Sequence, residues 1–283
     1  MSLEISLKHG LLKKDNLLIL ADENDLTWTK TILSIDQQST LKAYKSRKLS
    51  FLALPGVERS IYIIWIKTGT APNISSEKSR LAGAEMYQTL NQHKETAVVL
   101  LNYCKSNRIY DFLEGLKLAS YQFRKYQTNG SDKLPSLRKV AVLDTFKTSD
   151  LRLLNTITAT TFVARDLVNE VPNAQTPKLF SQSLLQLSNH YGFKLKIIEQ
   201  DELRKLGFGG LLAVNSGSLD PPTFNILEWK PKKSRNKTPI ILVGKGVVYD
   251  TGGLSLKPTA GSMDYMKSDM AGGAAVAATM SAA

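Results

Sequence analysis

Apolar and polar positions alternate between two periods along this chain, and the switches between them mark its elements. NLLILAD, LSFLALPG and IYIIWIK read as strands, the last rich in β-branched and aromatic residues and leaving through Thr-Gly-Thr. Ser75-Ser76-Glu77 then introduces a helical pattern through RLAGAEMYQTLNQH, which precedes the buried-looking strand AVVLLNYC. A second helix is predicted in YDFLEGLKLASYQFRKYQT, with Phe112, Leu113, Leu116, Leu118 and Phe123 on a core stripe. QTNGSDKLPS is the strongest loop signal in the first half of the chain, and KVAVLD follows it as a strand.

The helix DLRLLNTITATTFVARDLVNEV lies between two α/β regions, which sets a domain boundary near residue 150. Beyond it, Thr176 caps a helix with Pro177 at its first position, TPKLFSQSLLQLSNHYG. KLKIIEQ reads as a strand, DELRKLGFGG as a short helix with a glycine stop, and LLAVNSGS, TFNILEW and PIILVGKG as further strands. The ending, AGGAAVAATMSAA, is helix-competent after Gly273. A helix so poor in polar residues expects burial, so the chain is expected to be cut inside a domain.

Composition narrows the class. With 42% hydrophobic and 22% charged residues the 283-residue chain reads as soluble and globular. MSLEISLKHG has no apolar h-region, and no stretch approaches the roughly 18 apolar residues of a membrane span, so a cytoplasmic protein without membrane contact is expected. Cys104 is the sole cysteine, which excludes an internal disulfide framework; at a strand end it reads as a structural thiol. His9, His93 and His190 are scattered in polar settings, so any bound metal must rely mostly on carboxylates. The net charge of +12 and the run KPKKSRNK would suit nucleic acid, although a solvated hairpin loop is the simpler and preferred reading of that run.

The chemistry concentrates in GKGVVYDTGGLSLKP, Gly244 to Pro258. A dinucleotide loop is disfavoured, because the third glycine is missing and strand formers stand where a helix should begin. Asp-Thr-Gly suggests an aspartic protease, but that chemistry needs a second carboxylate sharing a proton, and the motif occurs once, flanked by lysines. Lys245, Asp250 and the later Asp269 could bind a divalent cation, provided that the lysine acts as a neutral amine. Spacing alone allows equally a plain salt bridge between Lys245 and Asp250.

VGKGVVYDTGGLSLKP followed by MDYMKSDMAGGAA resembles the leucine aminopeptidase (cytosol aminopeptidase) family of dinuclear metallopeptidases. ARDLVNEVPNAQTPKLF, ELRKLGFGGLLAVNSGS, PPTFNILEW and EGLKLASYQFRKYQT are similar to the same family, so the likeness covers about residues 110 to 283. The resemblance implies an α/β chain of two domains. These are an amino-terminal macro-domain-like mixed sheet with helices over 1–150, a linking helix over 151–172, and the first part of a mixed-sheet catalytic domain over 173–283. It further implies that Lys245 and Asp269 bind one metal ion, that Asp250 bridges two, and that Lys257 polarises the substrate carbonyl.

The implied activity is release of amino-terminal, leucine-like residues from peptides by water activated between two ions, zinc or manganese, with bicarbonate as general base, in a homo-hexamer. Two departures stand out. The Lys257–Asp269 spacing is one residue longer than the common family pattern, around Gly261-Ser262. The motif Asn-Thr-Asp-Ala-Glu-Gly-Arg, which supplies the remaining carboxylates and the bicarbonate-holding arginine, is absent from the 283 residues. The expectation is therefore an aminopeptidase whose 283-residue chain is inactive alone. The alternative is a basic, catalytically incomplete paralogue that binds nucleic acid.

Overall fold

The computed structural model describes residues 3–22, 25–45, 51–66, 71–104, 108–128, 134–144, 146–234 and 236–283. The chain forms two compact units, Met1–Thr158 and Ala159–Ala283. No helix among the described residues is long and apolar enough to cross a membrane.

The first unit is built on a mixed six-stranded sheet in the order β1 (Glu4–Lys8), β6 (Lys139–Leu143), β5 (Ala97–Tyr103), β2 (Leu17–Asp22), β4 (Ile61–Ile66), β3 (Phe51–Leu54). All neighbours are parallel except β3, which pairs antiparallel with β4 at the edge. The central strands are continuously apolar because both faces are covered. On one face Leu18, Leu20, Ile64, Val98, Leu100 and Val140 meet α3 (Pro72–Gln92) and α4 (Arg108–Ala119). On the other, Leu17, Ile19, Ile63 and Trp65 pack with Trp28 of the β2–α1 turn, Leu33 and, on α2 (Ile35–Lys45), Leu41; α1 is the single turn Thr29–Ile32.

Helix α4 stops before the predicted stretch is used up. Both the amide and the hydroxyl of Ser120 turn back to Lys117 O, so Phe123 lies outside the helix. Part of the predicted loop QTNGSDKLPS and the whole Thr-Gly-Thr exit lie outside the described residues. The histidines are exposed: His9 pairs with Asp144, His93 follows α3 as its C-cap, and His190 sits in the last turn of the helix Pro177–Tyr191.

Helix α5 (Thr148–Asn169) runs from the first unit into the second. There α6 (Pro177–Tyr191) starts on Thr176, whose hydroxyl accepts from Leu179 N–H, and stops at Gly192 with φ 83°. Its apolar side meets β7 (Lys194–Glu199) and β8 (Thr223–Glu228), an antiparallel pair, and α9 (Ala271–Ala282). Between β7 and β8 lie α7 (Gln200–Lys205) and α8 (Gly209–Asn215).

Two strand expectations fail here. LLAVNSGS is largely α8: its short apolar run has no alternation to hold a strand, and its leucines and alanine are good helix formers. PIILVGKG forms no strand, since no described residue offers it a ladder partner, and Ile240, Ile241, Leu242 and Val243 stand 76%, 79%, 46% and 90% exposed. An apolar run proposes a strand; only a pairing edge makes one.

Candidate active site

The site starts from two glycine contacts. A Cβ on Gly244 would lie 2.4 Å from Gly272 O, and one on Gly272 would lie 2.9 Å from Lys245 N. Both positions therefore need glycine, and their fit lays residues 244–246 against the first turn of α9. The opening amide groups of a helix lack intrahelical acceptors. Here Lys245 O takes the Gly273 N–H at 2.7 Å, a capping bond supplied by backbone where no side chain caps the helix.

Below this turn Met270 is fully buried with Phe180, Leu184, Ala274 and Ala277, and Val248 packs on the same cluster. Asp269 precedes Met270 and is thereby brought beside Lys245, 24 positions earlier in sequence. The ammonium of Lys245 lies 2.9 Å from Asp269 Oδ1 and 2.8 Å from Oδ2. Lys245 is 62% exposed and Asp269 24%, so the pair opens to solvent on the lysine side.

After Val248 the chain reverses. Gly252 and Gly253 have φ of 95° and 71°, and a Cβ on Gly252 would strike Ser255 O at 2.4 Å. The reversal is closed by Lys257 N–H to Thr251 O at 2.9 Å and by Gly252 N–H to Asp250 Oδ1 at 2.8 Å. The Lys257 ammonium donates to Asp250 O at 3.2 Å and to the Asp250 carboxylate. That hydrogen bond, then the Gly252 amide, hold the Asp250 carboxyl below the usual range against a small desolvation cost; the charges of Lys257 and Lys245 add to the effect.

The four residues singled out from sequence form two ion pairs, in a pairing the sequence did not indicate. Lys245 joins Asp269 and Lys257 joins Asp250, where a Lys245–Asp250 bridge had been the simple alternative. The glycine contacts, and Lys245 O as the cap of α9, were not read from sequence; the available signal was the recurrence of glycine at Gly244 and at Gly272-Gly273. Two carboxylates and an amine suit a divalent cation, with the amine binding only once its proton has left. Among the described residues no group of three or more His, Cys, Asp or Glu converges as it would around a metal ion.

The basic run 230–237 leaves β8 through an exposed turn, with Arg235 outside the described residues. Nothing among the similar proteins supports a nucleic-acid-binding paralogue.

Residues 162–283 match the cytosol aminopeptidase family, catalytic domain. A "Probable cytosol aminopeptidase" of Rhizobium etli is 40% identical over 176 residues, which is 60% of this chain and 35% of that protein. One from Rhizobium rhizogenes is 36% identical over 229 residues, covering 77% of this chain and 45% of that protein. The chain thus spans less than half the length of these curated relatives.

Among solved structures, a tomato leucine aminopeptidase mutant shares the fold, with a TM-score of 0.80, 19% identity, and coverage of 99% of this chain and 59% of that one. The bottromycin maturation enzyme BotP, solved in complex with Mn, has a TM-score of 0.74 and 25% identity, covering 95% of this chain and 56% of its own. Together with the α9 turn and the lysine–aspartate pairs that its matched segment builds, these findings mean that the chain belongs to the cytosol aminopeptidase family.

Proposed function

We propose that this chain carries part of the active site of a metal-dependent aminopeptidase, acting on the amino-terminal, leucine-like residue of peptides. Lys245, Asp250 and Asp269 would hold the metal, with Asp250 between two ions, and Lys257 would face the substrate. The observation that carries the reading is the grip of Lys245 by both oxygens of Asp269, formed at a helix start by residues distant in sequence. Manganese suits these donors, and the BotP neighbour was solved with that metal. A divalent ion bound there supplies Lewis-acid activation of water.

The residues themselves do the rest. Asp250 presents one oxygen to Gly252 N–H, which fixes the carboxylate plane. Lys257 is now held by Asp250, so its catalytic role requires this pair to part and the ammonium to turn to the scissile carbonyl oxygen. There it would stabilise the negative charge that develops on that oxygen during attack. Lys257 sits on the same short reversal as Asp250, closed by its own N–H to Thr251 O.

Among the described residues the donors are fewer than a two-ion centre needs, and the sequence lacks the second carboxylate motif. The isolated chain is therefore expected to show negligible turnover, while the hexameric assembly, zinc or manganese pair and bicarbonate belong to the full-length enzyme. Release of the chromophore from a leucyl amide, with manganese or zinc added, tests this. Robust turnover by the 283 residues would sink the incomplete-site reading.

A further inference from the structure

We propose that Lys267 is a positioning residue for Asp269, tying the turn that carries this carboxylate to the C-terminal end of α5. The inference rests on the metal-site reading above and adds to it a residue outside the donor set. Lys267 sits on the 3₁₀ turn Met263–Ser268, and its ammonium donates to Asn169 O at 3.1 Å across 98 residues of sequence. Asn169 is the last residue of α5. Terminal helix carbonyls lack intrahelical donors and carry the negative end of the helix dipole, so an ammonium is favoured there on two counts.

None of Met263–Ser268 is buried; besides Lys267, local hydrogen bonds hold the turn, among them Met263 N–H to Pro258 O at 2.9 Å and Asp264 N–H to Thr259 O at 3.2 Å. Asp269 therefore stands between two fixed points, Met270 in the apolar cluster one residue later and Lys267 on the α5 end two residues earlier. Its amide continues the turn by donating to Met266 O at 3.1 Å. With the Lys267 anchor removed, the turn can pivot about Met270 and carry the carboxylate away from Lys245. Loss of a partner that orients a metal ligand typically costs about 10–100-fold in metal affinity.

The test uses the full 283-residue chain as wild type, K267M, K267Q and K267R. One readout is Mn²⁺ affinity, from the EPR signal of the free ion. The other is the ¹³C signal of the Asp269 side-chain carboxyl without metal, with far-UV circular dichroism as the folding control. K267M is expected to weaken Mn²⁺ binding about 10–100-fold and to move the Asp269 signal toward that of a free aspartate. K267R, which can donate to the same carbonyl, should restore both, and K267Q, a neutral donor, should fall between; if K267M fails to fold, K267Q carries the comparison. Mn²⁺ affinity and an Asp269 signal unchanged in both K267M and K267Q would overturn the proposal. If the wild-type chain binds no Mn²⁺ but K267M still shifts the Asp269 signal, the metal reading falls and the positioning role stands.

Discussion

Gly244 and Gly246 lie two positions apart and should differ sharply when changed to alanine. A Cβ on Gly244 would sit 2.4 Å from Gly272 O, 2.7 Å from Gly272 C and 2.8 Å from Gly273 Cα, all backbone atoms that no rotamer can clear. Ordinary contact begins at 3.4 Å, so the segment must retreat by about 1 Å. A retreat of that size lengthens the 2.7 Å bond from Gly273 N–H to Lys245 O beyond useful range and draws Lys245 from Asp269. Overpacking of this kind costs about 1–3 kcal/mol, and the lost capping bond about 1 kcal/mol more.

A Cβ on Gly246 would meet nothing within 4 Å, and the residue has no positive φ, so Gly246→Ala removes unfolded-state freedom at no steric cost. It should be neutral or stabilising by up to about 1 kcal/mol. Urea unfolding of both variants, with amide exchange at Gly273, measures the contrast. Equal midpoints together with equal Gly273 exchange would refute the claim that close backbone fit at Gly244 builds the site.

The remaining expectations concern other parts of the chain. Burial, then the charge of Asp22 and the thiol's hydrogen bond to it, push the Cys104 thiol well up from its ordinary value, so Cys104 should react with DTNB at about pH 8 only after denaturation; fast labelling of folded protein would contradict this. At Asp15 burial works against ionisation, but the Lys8 ammonium and the Leu12 amide outweigh it, leaving the carboxyl below its ordinary value of 3.8. A depressed pKa stabilises the fold above the unfolded value and loses that contribution as pH falls through the folded one. Asp15→Asn should therefore cost on the order of 1 kcal/mol at about pH 7 and progressively less below pH 3.8, as followed by denaturant midpoints across pH. The exposed run Ile240–Val243 should make the chain self-associate, and Ile241→Lys should shift light-scattering mass toward the monomer; an unchanged mass would remove this run as the cause.

Legibility from sequence followed the kind of interaction that fixes each element. β2, β4 and β5 were plain because burial on both faces writes an unbroken apolar run, and α6 because its cap, its proline and its terminal glycine are all local signals. LLAVNSGS and PIILVGKG misled for opposite reasons: one run was too short to choose between periods, and the other lacked a described neighbour to pair with. In the site, residue types and the metal reading came from motif resemblance. Which lysine meets which aspartate depends on how α9 meets the 244–246 segment, and that contact is made through glycine Cα and backbone carbonyls, which leave no mark in hydropathy.

The position of Lys245 is the more informative because the segment before it has no ladder. In an ordinary strand the register of hydrogen bonds fixes each side chain, yet residues 240–243 have no such bonds to described residues. Lys245 is placed by other means: its own carbonyl caps α9, Gly244 and Gly272 allow the approach, and Val248 packs on the cluster that buries Met270. The Lys245–Asp269 pair is thereby tied to the α6–α9 core of the second unit and separable from strand pairing. Polar substitutions at Ile241 should consequently alter association while leaving Mn²⁺ affinity unchanged, whereas Ala274→Leu, which overfills the contact beneath Met270, should weaken both metal binding and thermal stability. If Ile241→Lys abolished Mn²⁺ binding in a chain that still folds, the site would depend on the run 240–243 after all.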